Sequence, residues 1–185
     1  MRCSSSIRGC GPHSRSESSC RDVARVGSGT LDVALRVANA GDAALAFTAA
    51  LHTYLRVADV REAVVEGLHG VRYRDSAGGG VERVDDAPAV RVDREVDRVY
   101  FDAPPELLVR DGARALRVAS EGFPDVVVWN PWAERARALD DMEEGGYLRM
   151  LCVEAAAVGR PVRLAPGAVW VGRQTLVVAD GTAGR

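Results

Sequence analysis

The chain has no lysine: all 24 basic residues among its 185 are arginine. With so much Ala, Val and Gly, this is a mark of coding bias and not of selection for bidentate anion binding. No apolar run approaches the roughly 20 residues needed to cross a bilayer, which excludes a membrane-spanning helix. No excess of either charge is present: Lys+Arg 24 against Asp+Glu 26 gives a formal net charge of −2. That balance argues against a nucleic-acid binder held by bulk charge. There is no GxGxxG, no P-loop and no internal repeat. The Gly78–Gly80 run is a loop tip with no following helix to hold a phosphate. Cysteine is scarce and badly spaced for zinc: Cys3, Cys10 and Cys20, with His13, lack the close pairs that two ligands of one tetrahedron need. No metal site is expected. Nothing requires a disulfide, so a reducing, cytoplasmic location is the default.

What remains is 47% hydrophobic and 27% charged, enough apolar side chain for one folded domain. Composition changes near Ser28. Eight of the ten Ser and three of the four Cys precede that point, with five Arg against Glu17 and Asp22. Residues 1–28 show no apolar periodicity and are expected to be a disordered or non-homologous lead-in. Their Ser/Arg-rich, acid-poor composition resembles an organelle transit peptide, the alternative to a cytoplasmic location. Residues 29–180 form the expected folded unit and 181–185 a flexible tail.

From Leu31 the pattern is β. Leu31, Val33, Leu35 and Val37 alternate with Asp32, Ala34, Arg36 and Ala38. Further strands are expected over Phe47–Val57, Ala63–Glu66, Ala89–Val92, Val96–Phe101, Glu106–Val109, Ala113–Ala119, Asp125–Trp129, Tyr147–Val158, Pro161–Leu164 and Val169–Val178. Gly, Pro and Asp punctuate them. Only Ala133–Asp140 reads as helix. Many strands separated by turns define an all-β sandwich or barrel.

Four places could carry chemistry. In the second strand, alternation puts His52, Tyr54 and Arg56 on one face, either a proton-donating surface or a solvated one. Glu154 interrupts Met150–Val158, an otherwise uncharged strand. A carboxylate among apolar side chains is costly and its pKa rises with desolvation, so it serves either proton transfer or a buried salt bridge. Asp97 shares a face with Val99 in an ordinary charged strand. Trp129-Asn130-Pro131-Trp132 offers either an aromatic surface for a sugar ring or a cap on the core. Cys152 reads as a small core residue, and His13 and His69 as exposed.

The segments AFTAALHTYLRVADV, VEGLHGVRYRD, EVDRVY, EGFPDVVVWNPW, MLCVEAAAV and RLAPGAVWVGRQTL occur in that order. Together they resemble the glucose-6-phosphate 1-epimerases, or hexose-6-phosphate mutarotases, of the aldose 1-epimerase superfamily, over Leu31 to Val178. The resemblance implies a galactose mutarotase-like β-supersandwich and interconversion of the anomers of a hexose 6-phosphate by ring opening. It makes His52 the acid, Glu154 the base and Asp97 a sugar hydrogen-bonding group, with no cofactor. A neighbouring carboxylate is expected to hold His52 protonated. A non-catalytic carbohydrate-binding sandwich is the alternative. A glycoside hydrolase built on Asp97 and Glu154 ranks lower, since it has no use for His52. Family members carry further strands, a further His and phosphate-gripping Arg residues ahead of the strand matching Leu31–Asn39, and residues 1–28 show none of these. The chain is therefore expected to be a truncated form, slow at mutarotation when alone. It is also expected to present an open sheet edge through which it self-associates.

Overall fold

The computed structural model describes residues 2–8 and 18–180. Among them the chain forms β1 (Arg2–Arg8), β2 (Ser18–Gly27), β3 (Thr30–Asn39), β4 (Leu45–Arg56), β5 (Val64–Glu66), β6 (Arg72–Asp75) and β7 (Val81–Val84). There follow β8 (Ala89–Arg91), β9 (Val96–Tyr100), β10 (Glu106–Asp111), β11 (Arg114–Glu121) and β12 (Asp125–Asn130). A short helix α1 (Trp132–Ala136) and a 3-10 turn (Gly146–Arg149) precede β13 (Met150–Leu164) and β14 (Val169–Asp180). The strands make two seven-stranded sheets, β1-β4-β13-β12-β9-β6-β7 and β2-β3-β14-β11-β10-β5-β8, and every pairing is antiparallel. The expected all-β sandwich is the fold found.

Period-two alternation builds the interior. Val33, Leu35 and Val37 of β3, Leu51 and Leu55 of β4, Val126 and Val128 of β12 and Val96 and Tyr100 of β9 are buried and face the opposite sheet. β13 departs from alternation because it is central and covered on both faces. Met150 through Ala157 are buried without a break, which explains its continuous apolar run. The expected strands Tyr147–Val158 and Pro161–Leu164 are one strand with a register shift between Ala157 and Val162. Tyr147 lies in the 3-10 turn instead. Pro161 has no N–H to give the ladder, and the amides of Val158 and Gly159 are diverted to the Asp125 carboxylate at 2.9 and 2.7 Å. A bulge with its donors satisfied is the result.

Two differences from the sequence reading concern edges. The lead-in expected to be disordered or non-homologous contains β1 against β4 and β2 against β3. β2 lacks apolar periodicity because both its faces are exposed throughout, so no core selects its alternation. β6 and β7 were missed for a related reason: only Tyr73 is buried in the pair, and β7 is wholly exposed. The expected helix Ala133–Asp140 is shorter and begins at Trp132. Cys10, His13 and the expected tail 181–185 lie outside the described residues.

Candidate active site

β4 turns Leu51, Thr53 and Leu55 inward and His52 and Tyr54 outward. On the adjacent strand, Leu151, Val153 and Ala155 face the core, so Cys152 and Glu154 share the outer face with His52. Pairing on either side of the site, Cys152↔Tyr54 and Ala155↔Leu51, puts Glu154 opposite His52. Residues so placed have Cβ atoms about 4.5–5.5 Å apart, and the side chains meet: His52 Nε2 lies 3.2 Å from Glu154 Oε1. The Glu154 side chain is only 6% exposed, whereas that of His52 is 32% exposed. Solvent and a ligand therefore reach the pair from the imidazole side.

Aromatic and sulfur groups frame the pair. Tyr54 stacks on the imidazole with centroids 4.7 Å apart, and Trp129 stands roughly perpendicular to both rings with centroids at 5.7 and 6.3 Å. Cys152 Sγ lies 3.7 Å from His52 Nδ1. Asp97 pairs in register with Trp129, which pairs with Cys152. Asp97 is thus on the same face, two strands from Glu154.

Burial sets the protonation. Desolvation, with the Asp97 charge as a second cause, pushes Glu154 up from an ordinary 4.5 to about 8. Desolvation also lowers His52. Against the expectation that the carboxylate holds the imidazole charged, burial on this face favours the neutral form of both groups. At neutral pH the pair shares one proton across a 3.2 Å contact. Burial likewise raises Cys152, so it stays a thiol beside Nδ1, while Nε2 faces the carboxylate.

His52, Cys152 and Glu154 offer donor atoms all within 4.8 Å of one another, types that also bind zinc. The ring, however, presents Nδ1 to the thiol and Nε2 to the carboxylate. One ion cannot use both contacts, and the thiol is held protonated. The trio suits proton exchange better than coordination.

The WNPW segment divides its roles. Trp129 joins the site, while Trp132 packs against Tyr147 and the core. Arg56 is exposed at the end of β4. Arg98 points to the other face, where it meets Asp85 at 3.3 Å and lies over the Tyr73 ring. Cys152, read as core packing, is fully buried but also touches His52. Its sequence signal was available: it precedes Glu154 by two in a strand and so shares its face. Nothing in the sequence marks Trp129 as the neighbour of His52, because that contact depends on which strands are adjacent.

Two stacked antiparallel sheets of this order, with an imidazole–carboxylate pair on an outer face, define a sandwich of the galactose mutarotase-like class. The chain belongs to the aldose 1-epimerase family, whose model matches residues 23–176. That match begins inside β2. The chain is 39% identical over 153 residues to a Cenchrus ciliaris protein named "Putative glucose-6-phosphate 1-epimerase", covering 80% of this chain and 46% of that protein. A protein of the same name from Escherichia coli K12 is 36% identical over 112 residues, 59% of this chain and 37% of that one. The chain thus spans less than half the length of these curated relatives. Among solved structures, a "putative mutarotase" from Salmonella typhimurium superimposes with a TM-score of 0.80 at 27% identity, over 88% of this chain and 54% of that one. An aldose epimerase homologue from C. elegans shares the fold at 13% identity, with a TM-score of 0.68 over 89% of this chain and 61% of that one.

Proposed function

We propose that this chain carries the acid/base half of a hexose-6-phosphate mutarotase, interconverting the α and β anomers of D-glucose 6-phosphate. The observation that carries the proposal is the 3.2 Å contact of a partly open imidazole with a buried carboxylate on one sheet face. The names of the two curated relatives support the substrate class. In the reactive form His52 holds the shared proton and Glu154 is ionised. His52 gives its Nε2 proton to the ring oxygen while Glu154 takes the proton of the C1 hydroxyl. The C1–O5 bond breaks, its electron pair goes to O5, and C1 becomes an aldehyde. Rotation about C1–C2 and reclosure with the reverse transfers deliver the other anomer. The pair is again left with one proton, so the cycle needs no cofactor. Asp97 hydrogen-bonds the sugar hydroxyls from its place beyond Trp129.

Exchange by the chain alone is expected to be slow, because no Arg among the described residues is assigned to the phosphate. Two-dimensional NMR exchange between the anomers measures it directly. The rate should exceed the spontaneous one, and His52→Asn or Glu154→Gln should each lower it by about 10²–10⁴-fold. Unchanged exchange in either folded variant would sink the assignment. Saturable binding of glucose 6-phosphate with no acceleration would leave a carbohydrate-binding sandwich. The Asp97 charge also acts on Glu154, but a glycoside hydrolase built on those two carboxyls leaves the His52–Glu154 contact without a part in the reaction.

A further inference from the structure

Behind the His52–Glu154 pair, in the layer between the sheets, sits a polar group that the proposed chemistry does not use. Alternation along β14 points Gly172, Gln174 and Leu176 inward, and Gln174 is 1% exposed. Its Nε2 donates to the Val153 carbonyl at 3.0 Å, and its Oε1 accepts from the Thr53 hydroxyl at 2.5 Å. Thr53 is the residue after His52, and Val153 is the residue before Glu154. One amide from the opposite sheet thus reaches both strands at the step where they carry the reacting groups.

Pairing of β13 with β4 keeps one register across this step, from Cys152↔Tyr54 to Ala155↔Leu51, which sets Val153 opposite Thr53 and Glu154 opposite His52. For the Thr53–Gln174 bond, apolar groups of the same shape would serve stability as well, because replacing both partners of a buried hydrogen bond is close to neutral. A buried Gln and Thr at this one step therefore point to a role in geometry.

We propose that Gln174 is a positioning residue whose amide clasps the strand bearing His52 to the strand bearing Glu154 and sets the separation of imidazole and carboxylate. The proposal rests on reading that pair as the acid and base. Misplacement of reacting groups by about 1 Å costs on the order of 100-fold in rate, so a clasp at this step acts on kcat while leaving the sugar contacts alone.

The test compares the parent chain with Gln174→Met, Thr53→Val and the Thr53→Val/Gln174→Met double variant. The isosteric Thr53→Val opens only the β4 half, and the double replaces both partners of the Thr53–Gln174 bond with apolar groups, leaving only the Val153 carbonyl without its donor. The first readout is the pH titration of the His52 ring in histidine-labelled protein, with His52→Asn assigning the signal and Glu154→Gln identifying the step coupled to the carboxylate. The coupled step should shift by at least about 0.5 pH unit in the folded double variant, with a smaller shift of the same sign in Thr53→Val. The second readout is anomer exchange of glucose 6-phosphate, in which kcat should fall about 10–100-fold with KM within about twofold. An unchanged His52 titration in either folded variant overturns the clasp, as does a rise in KM with kcat intact. A parent chain that fails to exchange anomers sinks the mutarotase reading instead, and the titration still decides the clasp.

Discussion

At the scale of one residue, Glu154 is a carboxyl whose burial works against stability once it ionises. Its carboxyl is buried beneath His52 and pushed up to about 8, so the folded state holds the proton more tightly than the unfolded chain does. A raised carboxyl pKa stabilises the fold fully below about pH 4.5. That contribution is lost as pH rises towards 8, because the unfolded chain ionises freely while the buried group resists. Glu154→Gln removes the group that resists ionisation. The variant should match the parent near pH 4.5 and exceed it by about 2–4 kcal/mol at pH 9, as read by urea denaturation across that range. A constant difference at all pH values would show that Glu154 does not titrate in this way. Asp97 acts on the same carboxyl through its charge. In the proposed mechanism the pair must hold one proton to react, so activity should fall on the alkaline side near pH 8. Asp97→Asn removes a charge that keeps the proton on, and should move that limb of the pH–rate profile to lower pH. A limb that stays put would remove Asp97 from the electrostatics of the pair.

At the scale of elements, the end of β12 is tied to the start of β13 by Asn130. Its side chain is fully buried and donates to the carbonyls of Tyr147 and Met150 at 2.8 and 2.9 Å. Its Oδ1 accepts from the amide of Trp132 at 2.9 Å, fixing a turn in which Trp132 takes a positive φ of 53°. Only an amide side chain of this length donates twice and accepts once here. Asn130→Ala leaves those backbone groups without their partner and should cost about 2–4 kcal/mol in chemical denaturation. A loss well under 1 kcal/mol would mean that the turn does not depend on it. Because Trp129 precedes Asn130 and packs against His52 and Tyr54, the same substitution should also broaden the His52 NMR signals. The bulge in β13 is a second such tie: Asp125 takes both diverted amides and accepts from the amide of Asp102.

For the whole molecule, the sheets pack at their centres, and among the described residues β2 and β7 end them as exposed strands. β2 is exposed on both faces, with Val26 at 83%, and an exposed strand at the end of a sheet is a template for another strand. The chain should associate as concentration rises, with sedimentation velocity reporting the larger species. The double substitution Val23→Lys/Val26→Lys should suppress that association without altering the circular dichroism. Association that persists in the double variant would shift attention to β7, where Val81 and Val84 are also exposed.

Legibility followed burial. Strands with one face in the core, such as β3 and β4, announced themselves because water excludes one side chain in two. β2 and β7, exposed on both faces, carried no such selection and were not seen. The Glu154 anomaly was visible because one charge stood in a run otherwise emptied of charge. Alternation alone determined that His52 and Tyr54 share one face of their strand, and that Cys152 and Glu154 share one face of theirs. Only the tertiary structure decided that those faces are the same surface, that Trp129 flanks it, and that Gln174 reaches both strands from behind. Strand order and register depend on pairings between segments remote along the chain, and local periodicity carries no record of which segment becomes whose neighbour.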